Sequence, residues 1–207
     1  GWAEFVEASP CISSLEVRNY YRRVGSQLAA LYVLGGTDCH FENLIAAGEH
    51  PVFVDLETLF HPRLRYKSVH ADALDVVPRF LSDSIMSVGL LPTPMLLNDA
   101  IVDLSGIGAR SFQETPLETF GLESVGTDEV RVARTLFRTD ELKSQPVQSP
   151  SEGEVSKYLQ FVDAGFRQTY EIIRRCKGEL LSDAGILALG RNIQTRVLLR
   201  NTSAYSS

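Results

Sequence analysis

The stretch "TDCHFENLIAAGEHPVFVDLETLF", residues 37–60, joins a polar loop to two short apolar segments. Leu44–Ala47 and residues 52–54 predict two strands, because each is apolar and residues 48–51, which contain a glycine and a proline, form a turn signal between them. The polar loop of residues 37–43 comes before the first strand. The stretch therefore predicts a β-hairpin with polar side chains just before its first strand and just after its second.

Helical spacing precedes this hairpin. From Ser13 or Ser14 onward, apolar side chains recur at steps of three and four residues, at positions 15, 17, 20, 24, 28, 31 and 32. The two glycines at 35 and 36 should end the helix, since glycine is common at helix C-termini. Near the other end of the chain, residues 155–181 predict an amphipathic helix that Gly178 can interrupt.

The middle of the chain gives weaker signals. Prolines interrupt residues 61–127, where we predict only partly helical structure over residues 80–91 and a loop at "DLSGIGA", residues 103–109. Residues 144–154 predict a surface loop or linker, and residues 195–200 predict a strand. Together these elements predict an α+β fold.

Composition narrows the class of protein. The chain has 207 residues, 44% of them hydrophobic, which allows one large domain or part of a larger one with a substantial core. Its 26 acidic and 20 basic residues give a net charge of −6, which argues against non-specific nucleic-acid binding. No apolar run is long enough to span a membrane. Three widely spaced cysteines without a CxxC pair predict no zinc site of that type and a reducing, cytoplasmic setting.

The spacing of the polar residues resembles a phosphoryl-transfer site. Asn43 follows Asp38 by five residues, and Asp55 follows Asn43 by twelve, as in the protein-kinase catalytic loop and its metal-binding Asp. Such a reaction requires a carboxylate to deprotonate the attacking hydroxyl and hard oxygen ligands for Mg²⁺. This pattern predicts Asp38 as the base and Asn43 and Asp55 as ligands, with Glu57 as a further ligand or a neighbour of one; His40, two residues from Asp38, is a candidate catalytic residue.

Other interpretations stay open at this point. Residues 36–37 are Gly-Thr where protein kinases have His-Arg, and residues 56–57 are Leu-Glu where they have Phe-Gly, so the chain is no ordinary protein kinase. Asp and Asn also form turns and helix caps in ordinary loops. A metal-dependent hydrolase site would use Asp38, His40, Asp55 and Glu57 instead. Asn43 and the position of the hairpin favour the kinase type of chemistry.

Residues 35–60 closely resemble the signature of one family, the dehydratase domain of class II (LanM-type) lanthipeptide synthetases. Four further segments are similar to that domain and follow in the same order: "SDSIMSVGLLP" (82–92), "DLSGIGA" (103–109), "GTDEV" (126–130) and "RVLLRNTSAY" (196–205). The resemblance thus covers nearly the whole chain and is most specific in residues 35–60 and 196–205.

The resemblance implies a lipid-kinase-like fold, of which residues 1–207 would be the mostly helical C-terminal lobe. It implies that Ser and Thr side chains of a ribosomal precursor peptide with a leader are phosphorylated with ATP and Mg²⁺, and that the phosphate is then eliminated. The implied phosphorylation residues are Asp38, His40, Asn43, Asp55 and Glu57. The implied elimination residues are Arg196 and Thr202, with Arg200 as a neighbour. Arginine suits this step because its guanidinium binds two oxygens of a leaving phosphate at once.

The resemblance also implies parts that the chain lacks. No lysine and no glycine-rich loop precede Asp38, so we expect the N-terminal lobe and a C-terminal cyclase domain with its own Zn²⁺ to lie elsewhere in a longer protein, and we expect the 207 residues alone to be inactive. Two alternatives remain: a kinase lobe that phosphorylates a small molecule or lipid without elimination, and a non-catalytic peptide-binding module.

Overall fold

The computed structural model describes residues 4–60, 81, 83–147 and 155–192. The helices are α1 (Ser14–Val33), α2 (Leu159–Arg175) and the short α3 (Lys177–Leu180). Within the described residues the strands form three antiparallel hairpins: β1 (Leu44–Ala47) with β2 (His50–Phe53), β3 (Met95–Leu97) with β4 (Ala100–Val102), and β5 (Glu114–Glu123) with β6 (Arg131–Arg138). The α+β class is therefore confirmed.

Both ends of α1 are capped by local side chains or glycine. At the start, the Ser13 hydroxyl accepts a hydrogen bond from the Glu16 N–H at 3.2 Å, and this satisfies a backbone donor that the helix leaves unpaired. At the end, Gly35 adopts a left-handed φ of 67°, and the Gly36 N–H donates to the Leu31 carbonyl at 2.8 Å. This C-terminal arrangement is a Schellman motif. The predicted boundaries of this helix are confirmed.

The α1 helix is the element on which the rest packs. The main hydrophobic core contains buried residues of α1 and of the segments around it: Val17, Tyr20, Tyr21, Val24, Leu28, Leu31, Cys39, Leu44, Ala46, Val88, Leu90, Ile107 and Val162. Val162 belongs to α2, which crosses α1 at Gly25, where the absence of a side chain allows the two backbones to touch. Leu15, although in the predicted apolar pattern, is exposed.

The β1–β2 hairpin is tied to α1 at its tip. The Glu49 carboxylate accepts hydrogen bonds from Asn19 at 2.7 Å and Arg23 at 2.9 Å, and these bonds lower the pKa of Glu49. A further bond joins the Gln27 amide to the Pro51 carbonyl at 2.8 Å. The hairpin is therefore held against the helix, and its open end is directed at the loop that holds Asp38.

Several predicted boundaries were wrong. The hairpin turn contains only residues 48–49, because β2 already begins at His50. The C-terminal helix starts with a 3-10 turn, Val155–Tyr158, and breaks at Cys176 rather than at Gly178. The predicted partly helical segment contains one 3-10 turn, Ile85–Val88, in its described part. None of the described helices combines the length and the apolar character that a membrane crossing requires.

The predicted linker at residues 144–154 begins inside the fold. Ser144 and Pro146 are fully buried. The buried Tyr20 hydroxyl donates to the Ser144 carbonyl at 2.6 Å, and the Cys11 N–H donates to the Pro146 carbonyl at 2.7 Å. Because these backbone groups are satisfied by the core, the polar composition of the segment did not make it a surface loop. Residues 148–154, like the predicted strand at 195–200, lie outside the described residues.

Candidate functional site

The loop that precedes β1 is held by two neighbouring segments. The Cys39 N–H donates to the Val88 carbonyl at 2.9 Å, and the Phe41 N–H donates to the Leu104 carbonyl at 3.4 Å. His40, between them, forms an isolated antiparallel bridge with Ser105. Cys39 and Phe41 point into the core and are buried. The alternation leaves Asp38 and His40 on the opposite, more accessible side.

Asp38 is in an unusual backbone conformation. Its φ is 63°, in the left-handed region that few residues other than glycine enter, although Asp and Asn do so more readily than most. Its side chain is 51% exposed. Such strained residues are often found at functional sites, where the surrounding bonds enforce the conformation. The Cys39–Val88 bond next to it is one such constraint.

Three side chains of this loop contact one another. The Asn43 amide nitrogen donates to the Asp38 backbone carbonyl at 2.9 Å and lies 3.3 Å from His40 Nε2. His40 Nε2 lies 3.7 Å from the Asp38 carboxylate. The other ring nitrogen, Nδ1, accepts from the Glu42 N–H at 3.3 Å. A neutral imidazole that accepts at Nδ1 carries its proton on Nε2, facing Asp38, so the Asn43 amide nitrogen beside Nε2 makes a contact and not a hydrogen bond.

Asp55 reaches the same place through the hairpin. The Val54 N–H donates to the Asn43 carbonyl at 3.1 Å, so the residue after β2 lies beside the end of the loop. The Asp55 carboxylate then accepts from the Glu57 N–H at 3.0 Å. This bond closes a turn, so Asp55 and Glu57 are not part of an extended segment. Both side chains are exposed.

The segment after Asp55 returns to the end of α1. Thr58 is buried, and its hydroxyl donates to the Thr37 carbonyl at 2.5 Å and accepts from the Thr37 N–H at 3.4 Å. The Phe60 N–H donates to the Leu34 carbonyl at 2.8 Å. These bonds fix the loop that holds Asp38 to the turn that holds Asp55.

A second loop, residues 103–109, packs against the loop that holds Asp38. Its buried Asp103 accepts from the Ser105 N–H at 2.9 Å, the Ser105 hydroxyl at 2.6 Å and the Thr93 N–H at 2.9 Å. A β-carbon on Gly106 would lie 2.7 Å from the Cys39 carbonyl oxygen. The sequence indicated a loop here, and this is confirmed, but it did not indicate that Asp103 and Ser105 shape the support for Asp38. The only signal in the sequence was the pair of glycines at positions 106 and 108.

Five of the seven predicted site residues lie in the described part of the chain. Asp38, His40 and Asn43 contact one another, and Asp55 and Glu57 follow the strand that is bonded to Asn43. The two predicted elimination residues, Arg196 and Thr202, lie outside the described residues, as does Arg200. Within the described ranges, no three His, Cys, Asp or Glu side chains are grouped as a metal site would require.

The donor atoms nevertheless suit Mg²⁺, which prefers oxygen ligands and commonly keeps several waters. The Asn43 amide nitrogen is used inside the loop, so its amide oxygen is the atom left for a ligand; no hydrogen bond within the described chain uses that oxygen. Asp55 adds an exposed carboxylate on the neighbouring turn. A metal that is bound to protein through one or two such oxygens would need no larger group of carboxylates.

Cys39, next to Asp38, should be unreactive in the folded protein. Burial, and then the charge of Asp38, raise the pKa of its thiol to about 12. Since the thiolate is the nucleophile, Cys39 should carry roughly a thousandfold less of the reactive form at pH 8 than an ordinary cysteine. We expect iodoacetamide to label the partly exposed Cys176 first, as peptide mass spectrometry can show, and denaturant to remove the difference.

Equal labelling of Cys39 and Cys176 in the folded protein would contradict the buried position of Cys39.

The raised pKa of Cys39 also has a consequence for stability. Because the folded thiol holds its proton more tightly than the unfolded one, the contribution of Cys39 to stability should be lost as the pH rises from about 9 towards 12.

The whole chain is similar to known proteins. Residues 1–207 match one family model, described as a domain of unknown function (DUF4135). The chain is also similar to the lacticin 481/lactococcin biosynthesis protein LcnDR2 of Lactococcus lactis subsp. lactis, with 32% identity over 213 residues that include 100% of this chain. The match covers 22% of that protein, so the chain spans about a fifth of its length. Both matches confirm the family resemblance that the motifs indicated.

Proposed function

The chain belongs to the DUF4135 family, and we propose that it is part of a lanthipeptide synthetase that dehydrates Ser and Thr side chains of a ribosomal precursor peptide. In this proposal the side chain is first phosphorylated with ATP, and the phosphate is then eliminated. The role of the relative LcnDR2 in lacticin 481/lactococcin biosynthesis supports a peptide product of this kind. The proposed fold of residues 1–207 is the C-terminal lobe of a lipid-kinase-like dehydratase domain.

One observation carries the phosphorylation step. The bond from the Val54 N–H to the Asn43 carbonyl joins the strand that precedes Asp55 to the loop of Asp38 and His40, and it supports a site in which the proposed base and the two proposed oxygen ligands act together. The Ser or Thr hydroxyl of the peptide attacks the γ-phosphorus of ATP, the bond from that phosphorus to the bridging oxygen breaks, and ADP leaves. The hydroxyl proton passes to the Asp38 carboxylate.

The roles of the neighbouring residues follow from their contacts. The His40 Nε2–H faces the Asp38 carboxylate and orients it, which makes His40 a positioning residue. Asn43 and Asp55 would hold Mg²⁺, with Glu57 beside them, and the ion would neutralise charge on the phosphate oxygens. Asn43 also fixes the Asp38 backbone through its amide nitrogen, so this residue joins the base to the ligand set.

The elimination step belongs to Arg196 and Thr202 in this proposal, with Arg200 nearby. A base removes the α-proton of the phosphorylated residue, a carbon–carbon double bond forms, and the bond from the β-carbon to the phosphate oxygen breaks. The guanidinium of Arg196 would stabilise the charge that develops on the departing phosphate, because it can donate to two oxygens. Thr202, six residues further on, acts in the same step.

The proposal also includes a setting and partners. Cys11, Cys39 and Cys176 are all free thiols, which fits a reducing cytoplasm. The partners are the precursor peptide and the remainder of the synthetase, namely an N-terminal lobe and a cyclase domain that binds Zn²⁺. The negative net charge of −6 gives no basis for a nucleic-acid partner.

The test uses the full-length protein that contains this chain, its precursor peptide, ATP and Mg²⁺, with mass spectrometry of the peptide. Wild type should yield a peptide that has lost one water for each modified residue. Arg196→Ala should accumulate phosphopeptide, because phosphorylation proceeds and the leaving group is no longer stabilised. Lys177→Ala, which removes a cation from the short helix α3, serves as the control and should behave as wild type.

Each other outcome points to a different function. Phosphopeptide from both proteins would replace the dehydratase with a kinase that does not eliminate. An unmodified peptide, together with phosphorylation of a lipid or small molecule, would identify a different kinase substrate. Peptide binding without any mass change would leave a non-catalytic binding module.

A further inference from the structure

The hairpin β5–β6 carries an apolar face that points outward. In its register Phe120 is opposite Arg134 and Leu122 is opposite Val132, and residues directly opposite each other lie on the same face of an antiparallel pair. Leu136 continues this face. The four apolar side chains are 54–67% exposed. We call these five residues the outer face.

The inner face is the less exposed one. Along β6, Ala133, Thr135 and Phe137 alternate with the outward residues and are half-buried, whereas the outward residues are exposed. Phe137 packs against the small cluster that contains Phe41 and Leu142. An antiparallel sheet with one solvated face normally has polar side chains on that face. Here four apolar side chains point outward, and the outer face lacks a cover within the described residues.

The charges on the hairpin compensate each other. Arg134 pairs with Glu118 at 3.3 Å and also lies over the Phe120 ring at 5.6 Å. Arg131 pairs with Glu123 at 2.8 Å. With these guanidinium groups already paired, the outer face offers apolar surface rather than an excess of either charge. A matching partner is therefore apolar and uncharged where it touches this face.

The end of β6 lies next to the loop that holds Asp38 and His40. The Phe137 ring lies 6.5 Å from the Phe41 ring, which in turn lies 5.8 Å from His40. A cavity of about 270 Å³ separates the base of the hairpin from the loop and is lined in part by Glu42 and Asp140. Arg138, which continues the outward side of β6, also lines this cavity, and the Glu42 carboxylate lies 3.7 Å from His40 Nδ1. A molecule lying along the outer face would therefore lead to the cavity beside His40.

The size of the face favours an extended peptide. The 8 residues of β6 span about 27 Å, and two strands are about 10 Å wide, which gives roughly 300 Å². A stable protein–protein interface needs about 800 Å² on each partner, so the face is too small for a second copy of the chain. The outer edges of both strands are also unpaired within the described residues, which leaves main-chain groups for an extended segment.

We propose that the outer face of the β5–β6 hairpin binds an extended, apolar, uncharged segment of the precursor peptide next to the Ser or Thr that reacts. The inference rests on the proposed function, since it names the surface that holds the same substrate. The hairpin acts on binding and does not touch the reacting atoms. Its residues should therefore affect KM for the peptide and leave kcat almost unchanged.

The test compares full-length wild type with Leu122→Thr/Val132→Thr. Threonine is β-branched and favours strands, so both substitutions should preserve the hairpin while they remove apolar surface. We expect KM for the precursor peptide to rise about tenfold while kcat changes by less than about twofold. Ile172→Thr, which alters another exposed apolar side chain, on α2, is the matched control and should leave both constants unchanged. Hydrogen exchange on β5 and β6 shows whether the variant keeps the hairpin.

The outcomes separate this inference from the proposed function. A wild-type protein that modifies no peptide contradicts the function itself. An active wild type and a double variant with intact strands and unchanged KM contradict the inference alone. A double variant that loses thermal stability at constant KM would assign the face to another domain of the protein. Dissociation of a wild-type dimer by the same change would assign it to a second copy.

Discussion

Replacing Gly25 with alanine should destabilise the fold by about 3 kcal/mol, because the new β-carbon would lie 1.9 Å from the Val162 carbonyl oxygen. Gly165 on α2 is equally crowded, because a β-carbon there would lie 1.9 Å from the Arg22 carbonyl oxygen. These are backbone atoms, so a side-chain rotation cannot relieve the contact. The two helices must separate instead.

Separation of α1 and α2 would expose part of the core. Val162 is almost fully buried at the crossing, and the stacked rings of Tyr21 and Tyr158, 4.7 Å apart, join the same two segments. Since α1 also ends at the loop that carries Asp38, the change should loosen the candidate site as well as the helix pair. The expected cost lies at the upper end of the range for overpacked cores.

Hydrogen exchange of the full-length protein measures this effect locally. Protection of the α1 and α2 amides should fall about a hundredfold in Gly25→Ala, because each tenfold corresponds to about 1.4 kcal/mol. Gly178→Ala is the control: nothing lies within 4 Å of a β-carbon there, and alanine in a helix should stabilise α3 by about 0.5–1 kcal/mol. Unchanged protection in Gly25→Ala would show that the helices do not cross at this residue.

Local signals explain why some elements could be predicted. The helix α1 and the strand β1 matched their predicted positions because spacing, the Ser13 cap and the glycines at 35 and 36 act within a few residues. The same signals did not give the end of α2. The break at Cys176 is set by the final turns of the helix, where the Cys176 N–H still bonds to the Ile172 carbonyl, and no proline or cap marks it in the sequence.

The β5–β6 hairpin was missed for a physical reason. Pro116 suggested an interruption, but it lies between Glu114 and Glu118, where the register shifts and the strand tolerates a residue without an N–H. The apolar side chains also face outward, so the alternation did not identify a core. Likewise, the polar Ser144 is buried only because Tyr20, far away in sequence, donates to its carbonyl.

Part of the candidate site could be predicted from the sequence, and part could not. The spacing singled out Asp38, Asn43 and Asp55; the structure shows Asn43 bonded to the Asp38 backbone and to the strand that precedes Asp55, and the chemical roles given to the three residues stay predictions. The support from Asp103 and Ser105 comes from a loop some sixty residues further along the chain. Spacing within one stretch carries no information about such a contact, which depends on how distant segments pack.

Asp38→Asn should lower peptide phosphorylation by at least about a hundredfold, which is the usual scale for loss of a general base. Asparagine keeps the shape of the side chain but cannot take the hydroxyl proton. It also enters the left-handed backbone conformation about as readily as Asp does, so the φ of 63° should persist and the loop should keep its fold. Binding of the Mg²⁺–nucleotide should stay close to wild type.

Asp99→Asn is the matched control. Asp99 is in the turn between β3 and β4, and its φ of 64° is nearly that of Asp38, so the chemical change and the backbone strain are the same. The residue is exposed and is not part of the candidate site. Its replacement should leave phosphorylation unchanged. A loss in both variants would show that the change from Asp to Asn disturbs such turns, without bearing on catalysis.

Asp55→Asn tests the proposed metal ligand and distinguishes its role from that of the proposed base, Asp38. Removal of a carboxylate ligand should weaken Mg²⁺–nucleotide binding by about tenfold or more, whereas Asp38→Asn should lose turnover and keep binding. Calorimetry with the full-length protein gives the binding, and mass spectrometry of the peptide gives the turnover. Wild-type turnover in Asp38→Asn would exclude Asp38 as the base, and the contacts of His40 and Asn43 with Asp38 would then be no more than the support of a loop.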